Sequence, residues 1–102
     1  MVARPDAPLC MILLRYRAPL DQVDAHMKAH VAWLEKGYAE GIFIVSGRRA
    51  PRTGGVILSR GHQRDVEALV ATDPFVMSGM AEAEVIEFGA SMAADRFAAL
   101  LI

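Results

Sequence analysis

The chain has three histidines, at positions 26, 30 and 62. His26 and His30 stand four residues apart, which is one helical turn, so on a helix they share a face. Such a pair can offer two imidazole nitrogens to a metal, but a metal site takes three or four protein ligands. Asp24 lies two residues from His26 and so points elsewhere, and His62 lies far along the chain. No metal and no cofactor are therefore expected. His30 falls between Met27, Val31 and Leu34, which directs its ring toward an apolar core. Two roles fit it there. It is either a buried histidine satisfied by one hydrogen bond, or a general acid or base working near neutral pH beside a carboxylate.

Asp73 has a structural role of its own. It precedes Pro74, and an aspartate followed by proline at the first helical position starts a helix, the cap contributing about 1 kcal/mol. A third group of interest is basic: Arg48, Arg49 and Arg52, flanked by Gly47, Gly54 and Gly55. In a hairpin loop such a cluster is either a solvated face or a flap whose guanidinium groups grip a carboxylate or phosphate. The glycine spacing matches neither the phosphate loop nor the dinucleotide fingerprint. Ser46 and Ser78 lack the Gly-x-Ser-x-Gly context of an activated nucleophile.

The elements that carry these residues can be read from periodicity. Residues 1–8 contain two prolines and no pattern, and are expected to be a flexible leader. LCMILLRY, residues 9–16, is apolar at nearly every position, as in a strand buried on both faces. Pro19 and Asp21 open a helix with the stripe Val23, Met27, Val31, Leu34 and Tyr38. Gly37 weakens that helix and Gly41 closes it. IFIVSG (42–47) and VILS (56–59) read as strands on either side of the arginine loop. A second helix carries Val66, Leu69 and Val70 and breaks before Pro74. A short helix then runs from Pro74 to about Met80, followed by a fourth strand, AEVIEF (83–88). Ser91 caps a last amphipathic helix, about 92–101, with Met92, Phe97, Leu100 and Leu101. The order β-α-β-β-α-β is the ferredoxin-like arrangement of the α+β class: one domain over residues 9–102, a four-stranded antiparallel sheet and an added C-terminal helix.

Composition bounds the partners. Hydrophobic residues make up 54% of 102 residues and mean hydropathy is +0.28, high for a small domain with much surface to cover. A homodimer or higher homo-oligomer is expected, its copies packing sheet against sheet. The alternative is that the many alanines cover helix surfaces without a partner. A formal net charge of -1 argues against nucleic acid or an acidic membrane as partner. No apolar run nears the roughly 18 residues of a membrane helix, and no apolar core of a signal peptide precedes Leu9. One cysteine, Cys10, excludes an internal disulfide and suits a reducing cytoplasm. A soluble cytoplasmic protein is expected.

The segments HVAWLEKGYAEGIFIVSG (30–47), TGGVILSR (53–60) and VEALVATDPFVMSGMAEAEVIEF (66–88) resemble the YciI-like, or YCII-related, proteins. Those have a first-helix H-L-x-x-L segment, a strand ending in S/A-G-P, a glycine-containing loop and a D-P-F/Y turn before the last strand. The resemblance covers about residues 9 to 88. It implies a dimeric α/β barrel with a cleft in each subunit close to the dimer interface. It also implies a catalytic histidine–aspartate pair, which falls on His30 and Asp73. Similar proteins include a dehydrochlorinase of chloroaromatic degradation, and related dimeric barrels include muconolactone isomerases and heme-free monooxygenases. Two features depart from the pattern. Ser46-Gly47-Arg48 replaces S/A-G-P and sets a cation where an anionic substrate enters, and His26 has no counterpart.

Two functions follow. The first is an enzyme of lyase, dehydrochlorinase or isomerase type, with His30 and Asp73 in acid–base chemistry on a small anionic organic substrate. In it Ser46, Gly47, Arg48, Arg49, Arg52 and Gly55 line the substrate site. The second is a non-catalytic ligand-binding or interaction module that uses the same cleft.

Overall fold

A computed structural model describes the backbone of residues 2–101 and the side chains of residues 8–99. Strand β1 (Val2–Tyr16) is followed by helices α1 (Leu20–Ala25) and α2 (Met27–Ala39), then by strands β2 (Phe43–Arg48) and β3 (Gly54–Arg60). Helices α3 (Gln63–Val70) and α4 (Pro74–Met77) lead to β4 (Ala81–Ala93), and a 3-10 helix (Asp95–Leu101) follows. The sheet is antiparallel in the order β2-β3-β1-β4, which is the ferredoxin-like topology.

Register sorts the strand residues by face. Ile12 stands opposite Ile57 on one side and Val85 on the other, and Cys10 opposite Ser59 and Glu87. These face the helices, where Cys10, Ile12, Leu14, Phe43 and Ile57 pack with Val66 and Val70 into the main core. A second cluster, Val23, Phe75 and Ala81 with Tyr16 and Met27 against it, lies beneath the start of α2. The Cys10 thiol is enclosed and donates to the Gly61 carbonyl at 3.3 Å. Burial, with Glu87 and Glu67 nearby, pushes its pKa up, which suits a structural thiol.

The opposite sheet face carries Leu13, Val56 and Leu58 and, more openly, Val45, Ile86 and Phe88, which are 56%, 45% and 42% exposed. The largely apolar strands thus bury one face against the helices and leave much of the other apolar and accessible, with Leu9 and Ala90 buried on it.

Both ends of the chain differ from expectation. The segment read as a leader is the start of β1: Val2 pairs with Ala93, Ala3 with Met92 and Ala7 with Ala90. The ladder shifts register between Ala3 and Ala7, a stretch that contains Pro5, which has no N–H to give. Those pairings hold residues 90–93 as strand, so Ser91 caps no helix, and only the 3-10 turn from Asp95 follows. Met1 and the side chains of Leu100 and Leu101 lie outside the described residues.

The first helix is also divided. His26, at φ -104° and ψ 2°, stands between α1 and α2. Gly41, at φ +74°, ends α2 in the left-handed conformation that glycine adopts freely. Gly37 has a different reason. A Cβ there would meet the Phe43 ring at 2.2 Å, so the missing side chain lets β2 approach α2.

Candidate functional site

Two short pieces of chain position the two central side chains. His30 sits in the first turn of α2 and is 8% exposed. Asp73 caps α4, with Pro74 next to it at the helix start. Its Oδ1 accepts the Phe75 amide N–H at 3.0 Å and also the His30 Nδ1–H at 2.7 Å. Asp73 is wholly enclosed, and its Oδ2 has no partner among the described residues. The cap expected at Asp73 and the pairing implied for His30 are therefore made by one oxygen.

A carboxylate only accepts, so the shared proton belongs to His30 Nδ1. In the neutral ring Nε2 then carries the free lone pair, and it makes no protein hydrogen bond among the described residues. Aromatic rings fix the plane of the imidazole. Phe75 stacks on it with centroids 4.0 Å apart and planes 11° from parallel. Trp33, one turn along α2, lies 5.9 Å away at 26°.

His30 opens into a cleft of about 180 Å³ between α2 and strands β2 and β3. Leu14 and Ile57 form its floor, while Met27, Val31, Leu34, Tyr16 and Phe75 form apolar walls. Ser46, Gly47, Arg48, Gly54 and Gly55 border it on the strand side. Gly54 is obligatory, because a Cβ there would lie 1.8 Å from the Leu14 carbonyl oxygen. Gly55, opposite Leu14 and Arg48 on the helix-facing side, keeps the cleft free of a side chain. The Ser46 hydroxyl is 2.5 Å from that of Tyr38. Arg48 makes no ion pair among the described residues.

The other two arginines are placed differently. Arg49 borders a polar depression with Arg15, Glu82 and Glu84, away from the cleft. Arg52 does not line the cleft. Its guanidinium pairs with Asp24 and lies 5.8 Å from the Tyr16 ring centroid. The hydrogen bond from Arg52 holds the Asp24 carboxyl below its usual range, and the bond to Asp24 pushes the guanidinium pKa up. This pair ties the β2–β3 loop to α1. His26 gains no companions for a metal, since among the described residues no three His, Cys, Asp or Glu side chains converge.

Sequence reasoning did not single out Phe75, Trp33 or Tyr16 as parts of the site. Phe75 had a signal in the D-P-F string and Trp33 in its i+3 spacing from His30. Tyr16 had none, because its place depends on strand register.

Residues 9–89 match the family model of the YCII-related domain. No curated protein matches the chain. Among solved structures the chain is similar to 5-chloro-2-hydroxyhydroquinone dehydrochlorinase (TftG) from Burkholderia phenoliruptrix AC1100, in complex with 2,5-dihydroxybenzoquinone. The match has a TM-score of 0.65 and 22% sequence identity, and it covers 87% of this chain and 97% of that one. At that identity the likeness speaks for the fold.

Proposed function

The chain belongs to the YCII-related family, and from that premise we propose that it is an enzyme in which His30 moves a proton on a small anionic organic substrate. The observation that carries this reading is the His30–Asp73 pair, 2.7 Å apart at the wall of a mainly apolar cleft that Ser46 and Arg48 border. Asp73 holds the imidazole in one tautomer, so that Nε2 is available to a bound molecule. The cleft volume, about 180 Å³, suits a one-ring compound, since a cavity of roughly 150 Å³ holds benzene. Arg48 supplies the positive charge for a carboxylate or phenolate, and Ser46 a hydroxyl to orient it.

The chemistry that fits is proton abstraction by Nε2. The electron pair left on the substrate either expels a leaving group, such as chloride, with its bonding electrons or moves along a conjugated system. In the second case the imidazolium returns its proton to another carbon. The first course is a lyase reaction, the second an isomerisation. Chlorinated hydroxyquinols and unsaturated lactones are the compounds to try. Turnover should fall by roughly 10²–10⁴-fold in His30→Asn, the usual contribution of general acid–base catalysis. Full turnover in that variant overturns the role. A ligand bound by the wild type without turnover makes the cleft a binding site instead.

The working form is a homodimer. The support is the exposed apolar sheet face bearing Val45, Ile86 and Phe88, which a second copy can cover. Light scattering that gives the mass of one chain overturns it. The described residues contain no helix long and apolar enough to cross a membrane, and the free buried thiol of Cys10 suits a reducing cytoplasm.

A further inference from the structure

We propose that Trp33 is a positioning residue for the His30–Asp73 pair, holding both members at once; this rests on the role given to that pair above. Trp33 meets His30 within α2, where its indole lies beside the imidazole at 5.9 Å. It meets Asp73 through the preceding residue. The indole Nε1–H donates to the Thr72 hydroxyl at 2.9 Å, and that hydroxyl donates in turn to the Leu69 carbonyl at 2.6 Å. Thr72 is thereby locked to the end of α3, one residue before the carboxylate.

The indole has little freedom to move. Its other neighbour is Phe43, at 5.0 Å and 55°, and Phe43 is itself seated on Gly37, where no Cβ would fit. Two hydrogen bonds therefore join the same two segments, α2 and the α3–α4 corner: His30 to Asp73 and Trp33 to Thr72. One bond alone is a pivot, about which the segments can turn. Two fix the angle as well as the separation, which is what an imidazole must have to present one nitrogen to a ligand. The Trp33–Thr72 bond does not follow from packing alone, since Thr72 is solvent-exposed.

The test is nitrogen-15 NMR of the His30 side chain in the full chain near neutral pH, with no ligand required. The wild type should show the Nδ1–H tautomer and an observable Nδ1 proton. Trp33→Phe keeps an aromatic ring and removes the N–H, while Thr72→Val removes the acceptor at an exposed position. Both should lose the Nδ1 proton signal and the single tautomer, whereas Thr72→Ser should retain them. Retention of the wild-type pattern in Trp33→Phe and Thr72→Val overturns the inference and leaves the His30–Asp73 reading intact. If Trp33→Phe does not fold, Thr72→Val against Thr72→Ser decides. A wild type that lacks the Nδ1–H tautomer overturns the reading of the pair and this inference with it.

Discussion

The Phe75 ring lies flat against the His30 imidazole at 4.0 Å, and the Phe75 amide donates to the same Asp73 oxygen that His30 does. One residue thus sets the imidazole plane through its side chain and helps hold the imidazole's partner through its backbone. Phe75 is also among the largest fully buried side chains. Replacement by alanine should cost about 3–5 kcal/mol, read from the urea midpoint. A loss under about 1 kcal/mol would mean the ring is not the keystone of its cluster.

Asp73 variants should separate the cap from the chemistry. Asp73→Ala removes the cap, worth about 1 kcal/mol, and strands the Phe75 N–H and His30 Nδ1–H inside the protein at roughly 1–3 kcal/mol. Asp73→Asn keeps an amide oxygen for one of those donors and should be the more stable of the two. With a substrate in hand, Asp73→Asn should still lower turnover by roughly 10²-fold, because the fixed tautomer is lost. Equal turnover in Asp73→Asn and wild type would remove Asp73 from the mechanism.

Gly37→Ala tests the approach of β2 to α2. Alanine is the better helix former by about 1 kcal/mol, and on an open face the change would stabilise. Here the Cβ would enter the Phe43 ring at 2.2 Å, so a net loss of about 1–3 kcal/mol is expected. Thermal or urea unfolding reads the sign, and a gain in stability would place the ring elsewhere.

Acid should weaken two surface contacts in a predictable direction. Arg52 holds the Asp24 carboxyl below its ordinary value. The backbone N–H of Gln63 at the start of α3, and after it His62, does the same for Glu87 of β4. A carboxyl with a lowered folded pKa adds stability that is full above its unfolded value, near pH 4, and is lost as pH falls through the folded value. Both groups are exposed, so the effects are small and shrink further in salt. Unfolding measured from pH 5 down to pH 2 should show a shallower acid loss in Asp24→Asn and Glu87→Gln than in wild type. Slopes identical to wild type would contradict both contacts.

Much of the topology was legible in the sequence because it is written locally. Asp73-Pro74 states a cap and a first helical position, and Gly41 states a helix end. The parts that misled depend on distant pairing. Two prolines near the N-terminus read as breakers, yet residues 2–7 are strand because β4 extends to meet them, and the same pairing overrides the helix expected from Ser91. The stripe on α2 set Met27 and Leu34 on the apolar side with His30 but did not foresee the burial of Gly37, since hydrophobic patterning cannot flag a residue without a side chain. The arginine cluster was read as one group. Arg48 and Arg49 are neighbours at the end of a strand, where successive side chains take opposite faces, and only Arg48 reaches the cleft.

The double acceptance at Asp73 Oδ1 has a consequence for how often the site exists at all. Because His30 and the Phe75 amide share that oxygen, the constellation is absent whenever the single turn of α4 opens, even while the sheet and the longer helices stay folded. The free energy of that local opening is what amide exchange at Phe75 measures, so its protection factor gauges the fraction of time each molecule is equipped to act.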